Sequence, residues 1–324
     1  MKKIAVTGAN GFVGSTFCRI LAEKDWQVVP LVRSAADISQ LPASLQPVRI
    51  DYNDTNRLTA LLQDCEILIH NAGLTRSLHS EQMLQVNASL TRQLVNIFNS
   101  VEKLQQFIYI SSQAACGPSD GKKPFTEDSL CYPLSTYGKS KLMAETIVKE
   151  NTTKPWTILR PAAVFGPGDK DFLLYFKLLK YHLAPYLGSI HKKFSIIYVD
   201  DLANLLCLLL LNPSSFEQTF FGAYEEAILM SDFVEILERV MNTFSNSLVI
   251  PVFLLQAAAI VAESIGRFRG RTPLLSREKL LDLQQPFWEV SNQKAREILG
   301  FQPEFDVYEG AVLTYRWYRE KGWL

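Results

Sequence analysis

The chain has 324 residues, 48% of them hydrophobic, which suits one large or two fused globular domains. Lys plus Arg and Asp plus Glu both total 33, a balance that gives no support for nucleic acid as a partner. The five cysteines, at positions 18, 65, 116, 131 and 207, are odd in number and not closely paired along the sequence, which favours a reducing, cytoplasmic setting over a disulfide framework or a cysteine-based metal site.

Lys2-Lys3 precedes an apolar run, but Thr7, Gly8, Asn10 and Gly11 break that run too early for a signal peptide. Residues 3–7 read instead as a buried strand that enters Thr7-Gly8-Ala9-Asn10-Gly11-Phe12-Val13-Gly14. A helix over 12–23 follows, with Phe17, Cys18, Ile20 and Leu21 on its inner side. A strand, a glycine turn and a helix N-terminus together receive a pyrophosphate: glycines let the backbone approach, and free N–H groups meet the anion. Gly8, Asn10, Gly11, Phe12, Val13 and Gly14 are therefore candidate cofactor-binding residues.

Further strands are expected over 27–32, 47–50, 66–70, 106–111 and 156–160, separated by helices near 55–63, 81–100 and 135–150. The alternation predicts an α/β fold, a Rossmann-type doubly wound parallel sheet with right-handed crossovers. The second strand ends in Leu31-Val32-Arg33-Ser34, with no acid to take the ribose hydroxyls of NAD; Arg33 and Ser34 suit the 2′-phosphate of NADP, which is preferred to NAD on this ground. Asp51 and Tyr52 are placed to flank the adenine.

The fourth strand closes on His70-Asn71-Ala72-Gly73, and small residues there let the backbone lie against a flat ligand. His70 reads as a local backbone tie, with a proton-carrying role as the alternative. The fifth strand ends in Ser111-Ser112, and the next helix opens with Tyr137 and Lys141, four apart and so stacked on one face. Ionising a free tyrosine at pH 7 costs about 4 kcal/mol. An ammonium ~4 Å away at an effective dielectric near 20 returns about 4 kcal/mol. Tyr137 is thus a candidate proton carrier, and Ser112 a hydroxyl that can hold the substrate oxygen.

After Gly166-Pro167-Gly168 helices are expected to dominate, interrupted by short strands at 194–199 and 218–221. This gives a dinucleotide-binding domain over 1–168, with 194–222 returning to it, and a smaller, mostly helical substrate-binding domain over 169–324. The apolar stretches 202–211 and 249–262 fall short of the roughly 20 residues that span a bilayer, and read as buried or interface helices. The second is also the candidate for peripheral membrane contact.

The ordered set of glycine turn, His-Asn-Ala-Gly, Ser-Ser, then Tyr and Lys resembles the extended short-chain dehydrogenases/reductases, which include the NAD-dependent epimerases and dehydratases. The resemblance implies a catalytic triad of Ser112, Tyr137 and Lys141, supported by Asn87 in Gln85-Val86-Asn87, which buttresses the lysine through backbone and water. It implies that Lys141 lowers the pKa of Tyr137 and binds the nicotinamide ribose, and that Tyr137 also touches the cofactor. It places Asn71, Ala72, Gly73, Pro161, Ala163 and Val164 along the cofactor, and it makes Tyr198-Val199-Asp200-Asp201-Leu202-Ala203 the second-domain signature. It also implies a homodimer through the helices that carry Asn87 and Tyr137, to which Leu84, Leu90, Leu94, Ile97 and Phe98 would lend an apolar surface.

Sugar-nucleotide members commonly grip a diphosphate with an arginine where Phe194 stands here, followed by Ser195. The segments Pro273-Leu274-Leu275-Ser276-Arg277 and Lys294 to Phe301, with Trp317-Tyr318, are similar to 3β-hydroxysteroid dehydrogenase and dihydroflavonol-reductase relatives. The expectation is an NAD(P)-dependent oxidoreductase acting on a secondary alcohol or ketone of an apolar ring substrate. Phe194 and part of the run from Phe172 to Leu179 would line its pocket. The alternatives are a nucleotide-sugar epimerase or dehydratase, with Arg267, Arg269 and Arg271 as phosphate candidates, and a dinucleotide-sensing module without turnover. Dehydration is disfavoured because Gln113 and Ala114, not an acid–base pair, follow Ser112.

Overall fold

The computed structural model describes residues 2–324 other than Arg76, Leu78, His79, Gly270, Arg271, Thr272 and Leu274, and the backbone alone at 80–82. Arg271 and Leu274, named above, thus lie outside the described residues. The first half runs β1 (Lys3–Thr7), α1 (Phe12–Glu23), β2 (Gln27–Arg33), β3 (Val48–Ile50), α2 (Thr55–Leu62), β4 (Ile67–His70), α3 (Ser80–Ser100), β5 (Gln106–Ile110), α4 (Thr136–Asn151) and β6 (Trp156–Pro161). Every element matches its expected range to within a residue or two. The second half runs β7 (Ala163–Phe165), α5 (Leu173–Leu179), β8 (Leu183–Leu187), β9 (Lys193–Phe194), β10 (Ile196–Tyr198), α6 (Val199–Leu209), β11 (Gln218–Gly222), β12 (Ile228–Leu229), α7 (Met230–Met241), β13 (Asn246–Ile250), α8 (Val252–Arg269), α9 (Arg277–Leu283), β14 (Phe287–Trp288), α10 (Gln293–Leu299) and α11 (Val307–Glu320).

Seven strands form one sheet in the order β11-β6-β5-β4-β1-β2-β3, all parallel. The order reverses beside β1, and this switch point is where α/β sheets bind ligands. Alternate side chains feed opposite cores, as the two-residue period of a strand requires. Ile4, Val6, Ile67, Ile69 and Ile108 pack with α1 and α6. Ala5, Leu68, Phe107 and Tyr109 pack with α2, α3 and α4. Both faces are buried, so these strands read as continuous apolar runs.

The segment expected as one strand at 194–199 is two. Ser195 separates them, its hydroxyl accepting from Val290 N at 3.0 Å and donating to Val290 O at 3.3 Å. β9 joins β12 and β14, whereas β10 pairs with β7. The second half also carries more strand than the helical expectation allowed, because these are pieces of two, three or five residues, too short to show a period. Its helices still pack on the first sheet: Arg19 of α1 reaches Asp200 of α6 at 2.6 Å. Asp201 accepts from Glu304 N at 2.7 Å and from the Tyr224 hydroxyl at 3.1 Å. The Tyr198–Ala203 signature is thus a structural joint.

One further expectation needs correction. Leu94, Ile97 and Phe98, offered as dimer surface, are interior, because they cover the sheet from α3. Cys116 and Cys131, unpaired along the sequence, stand with their sulfurs 3.0 Å apart as free thiols. The intervening loop folds back so that Tyr132 N bonds Cys116 O at 2.7 Å. Among the described residues no helix is long and apolar enough to cross a membrane.

Candidate active site

The glycine turn is closed by contact as well as by conformation. Gly8 takes φ +65, and its carbonyl accepts from Gly11 N at 3.2 Å. A Cβ on Gly14 would stand 2.2 Å from Gly8 O and 2.8 Å from Asn71 Nδ2, so no side chain fits there. α1 begins at this turn with no side-chain cap and no acid in its first turn. Its first N–H groups and its dipole therefore remain for an anion, and the cradle fits the diphosphate of a dinucleotide. Phe12 lies against Gly168, so the loop after β7 covers the start of the helix. Asn10 is tied to Asp37 O at 3.0 Å.

Thr7 organises the ends of β1 and β4. Its hydroxyl accepts from Asn71 N and Ala72 N, both at 3.1 Å, and lies 3.0 Å from His70 Nδ1. His70 Nε2 lies 3.0 Å from Thr91 Oγ1, which donates to Asn87 O at 2.8 Å. With both ring nitrogens engaged and burial pushing its pKa down to about 3, His70 is a neutral tie between β4 and α3. Tyr52 closes the turn from the other side, hydrogen-bonded to Thr7 and to the Gly8 backbone. Asp51 is exposed and holds Asn53 N at 2.9 Å.

Arg33 is exposed at the end of β2. Arg49, which the sequence reading missed, reaches across from β3 to Ser34 O at 2.5 Å and Ala36 O at 3.2 Å. The signal was a lone charge inside the strand Val48-Arg49-Ile50. The acid nearest along the chain, Asp37, is committed to Ser39 N and Oγ at 2.9 and 3.1 Å.

Ser135 caps α4 and so fixes the helix that carries Tyr137 and Lys141. The Ser112 hydroxyl is a hydrogen-bond partner of the Tyr137 phenol. Lys141 Nζ donates to Ile110 O at 2.8 Å and stands 6.0 Å from the Tyr137 ring centre. Burial pushes Tyr137 up to about 12, against the lowering by the Ser112 contact. Burial also pushes Lys141 down to about 8, while the Glu145 charge opposes it. Desolvation is the largest influence on both groups. Asn87 Oδ1 accepts from Leu74 N at 2.7 Å, and its Nδ2 donates to Leu74 O and to Ser140 Oγ, both at 3.0 Å. It thus holds the loop after β4 against the neighbour of Lys141. Gly73 sits between them: a Cβ there would lie 3.6 Å from Lys141 Nζ. Pro161 is buried at the end of β6, and Ala163 and Val164 are half-buried just beyond it.

Beneath Lys141 lies a network that the sequence reading also missed. Glu145 accepts from Ser111 Oγ at 2.5 Å and from Arg160 at 2.9 and 2.6 Å, and both ion-pair partners are almost fully buried. The spacing of Lys141 and Glu145 on one helix face was a readable hint; the partner on β6 was not. Two more polar groups flank the triad. Gln113 Oε1 and Asp282 Oδ1 are buried oxygens without hydrogen-bond partners among the described residues. Asp282 bonds Ser135 and its charge bears on Tyr137.

Phe194 does not line an open wall. Its ring packs 6.0 Å from Phe233 and 6.5 Å from Phe172, and Leu173, Phe176 and Leu179 are likewise core. The run that looked like a pocket lining is mostly interior because α5 has only one narrow outer face, which shows Leu174 and Lys177.

A model of the NAD dependent epimerase/dehydratase family matches residues 4–221. The ceramide reductase of Caulobacter vibrioides is 25% identical over 323 residues, with 99% of this chain and 96% of the relative covered. The 3 beta-hydroxysteroid dehydrogenase/Delta 5-->4-isomerase of vaccinia virus (strain Copenhagen) is 24% identical, covering 99% of both chains. UDP-glucuronic acid 4-epimerase from Bacillus cereus, solved with UDP-glucuronic acid and NAD, superposes with a TM-score of 0.77 at 22% identity, over 98% of this chain and 99% of that one.

Proposed function

The chain belongs to the NAD-dependent epimerase/dehydratase family, and from that premise we propose that it is an NADP(H)-dependent oxidoreductase acting on a ketone or secondary alcohol of an apolar substrate. The observation that carries the chemistry is the Ser112–Tyr137–Lys141 cluster at the carboxyl edge of the sheet, beside the glycine cradle. A bound nicotinamide supplies or accepts the hydride. Tyr137 exchanges the proton of the substrate oxygen, and Ser112 orients that oxygen. Lys141, held by Ile110 O, keeps a positive charge beside the phenol and offers its remaining N–H groups to the nicotinamide ribose. Gly8, Gly11, Gly14 and the start of α1 hold the diphosphate. Arg33 and Arg49 favour the 2′-phosphate of NADP, since no free carboxylate stands at the end of β2 to claim ribose hydroxyls.

An apolar substrate is favoured over a sugar nucleotide by two facts. No guanidinium replaces the buried ring of Phe194. The whole-length relatives include enzymes named for ceramide and for a steroid. Gln113 Oε1 and Asp282 Oδ1, both acceptors, suit a substrate with a hydroxyl or N–H near the reacting carbon. The test follows NADPH oxidation with long-chain ketones, steroid ketones and sugar nucleotides, for the wild type and Tyr137→Phe. Turnover of an apolar ketone that falls at least 10²-fold in Tyr137→Phe, with NADPH affinity unchanged, supports the reading. Turnover of sugar nucleotides alone overturns it.

A further inference from the structure

The stretch expected as a buried or interface helix is not buried within the chain. β13 passes through Pro251 into α8, which touches the rest of the protein along one narrow stripe: Leu255, Ala259 and Gly266 are buried, with Leu255 and Ala259 against Leu280 of α9. Most of the remaining circumference is exposed, and large apolar side chains dominate it. Phe268 is 93% exposed, Phe253 66% and Val261 58%, and Leu254, Ile260 and Ile265 are about half exposed. Leu254, Val261, Ile265 and Phe268 recur at helical spacing, so they form one face. A surface helix of a globular protein carries its polar residues there.

The exposed charge on this helix has one sign. Its single acid, Glu263, is half-buried and paired with Arg277 at 2.9 Å. Arg267 and Arg269 stand exposed at its C-terminal end. An apolar face without free acid, edged by arginines, matches an interfacial helix with acyl chains beneath it and anionic headgroups at its rim. A second copy of the same face would bring arginine toward arginine or leave these cations without partners.

We propose that α8 is a membrane-docking helix that seats the protein on an anionic lipid surface. A cleft of about 320 Å³ opens at its inner side, between Arg267 of α8, Ser77 after β4, and Glu278 and Leu281 of α9. Glu278 accepts from Thr136 N at 2.9 Å, one residue before Tyr137. Docking through α8 sets the Arg267 edge of this cleft toward the lipid, and the docking does not rest on the reading of Tyr137 above.

The test is flotation of the full chain with phosphatidylcholine vesicles, with and without phosphatidylglycerol, scored by bound fraction. Binding to the anionic vesicles is expected, lost at least tenfold in the exposed-face variant Val261→Asp/Phe268→Asp. A loss of about fivefold is expected for each of Arg267→Gln and Arg269→Gln, and high salt should act in the same direction. The aspartate variant should keep its circular dichroism and its turnover of a water-soluble ketone in detergent-free buffer, which separates a docking failure from a failure of the catalytic reading. Equal flotation of wild type and variant overturns the proposal. So does a wild-type dimer by light scattering that the aspartates convert to monomer, since the face then belongs to a second copy.

Discussion

Replacing Glu145 by Gln tests whether the buried network beneath Lys141 holds the site together. The substitution keeps the shape and removes one charge from a pair whose partners are 2% and 1% exposed. Arg160 then keeps a buried positive charge whose Nη1 already lacks a partner. Breaking a buried pair from one side costs about 3–5 kcal/mol, against a typical whole-protein stability of about 5–15 kcal/mol. Thermal unfolding should show a melting temperature lowered by on the order of 5–10 °C, extrapolating from roughly 2 °C per kcal/mol for large domains. The same change removes the anion that supports the Lys141 ammonium, so the lysine pKa should drop further below about 8. Arg160→Met in the Glu145→Gln background removes the stranded charge and should recover at least half of the loss, a coupling a double-mutant cycle reads directly. A single-mutant cost under about 1 kcal/mol would refute the argument, because it would mean that water or another group satisfies Arg160.

Arg33→Asp should weaken NADPH binding at least tenfold while sparing NADH, since charge-assisted phosphate contacts are worth about 1.5–3 kcal/mol; equal wild-type affinities for the two cofactors would defeat the assignment. Gly14→Ala should abolish dinucleotide binding in calorimetry, because its methyl would stand 2.2 Å from Gly8 O. The pH profile of ketone reduction should show an alkaline limb near pH 8, where Lys141 loses its charge as pH rises, and no limb from His70, which stays neutral down to about 3. Cys131, lowered to about 7 by its Cys116 contact and by Arg160, should be the first of the five thiols alkylated by iodoacetamide, and mass mapping that finds Cys207 first would contradict this.

The sheet was legible because most of its parallel strands are apolar runs closed by a glycine, serine or small-residue turn, and several helices open on a recognisable cap such as Asp54 or Ser135. The triad was legible for the same reason: Ser112 ends a strand and Tyr137 opens a helix. What stayed hidden depends on tertiary contact. Glu145 and Arg160 are 15 positions apart and on different elements, and nothing local marks them as a pair. Cys116 and Cys131 meet only because the intervening loop doubles back. Phe194 looked like a pocket wall because sequence shows that a ring replaces a guanidinium, but not that Phe172 and Phe233 enclose it. α8 misled in the opposite direction, since apolar composition alone cannot say whether a helix faces the core or the solvent.

The protonation of Tyr137 and Lys141 follows from their burial, and it bears on the direction of the proposed reaction. A tyrosine raised to about 12 carries its proton at neutral pH, and a lysine lowered to about 8 is still mostly charged there. In the function proposed above, Tyr137 starts as the proton donor, with Ser112 on the phenol oxygen and the Lys141 ammonium behind it. That arrangement suits the protonation of an alkoxide formed when hydride reaches a ketone. It is less suited to withdrawing a proton from an alcohol, which needs the phenolate first. The surroundings decide this more than the triad does. Tyr109 lies against Lys141, with Nζ 5.0 Å from its ring centre, and Asp282 sets a negative charge near Tyr137. Asp282→Asn should remove one influence that raises the Tyr137 pKa and so quicken alcohol oxidation relative to ketone reduction at pH 8. A ratio of the two rates, measured at saturating cofactor, that is unchanged by the substitution would show that Asp282 does not set the protonation of Tyr137.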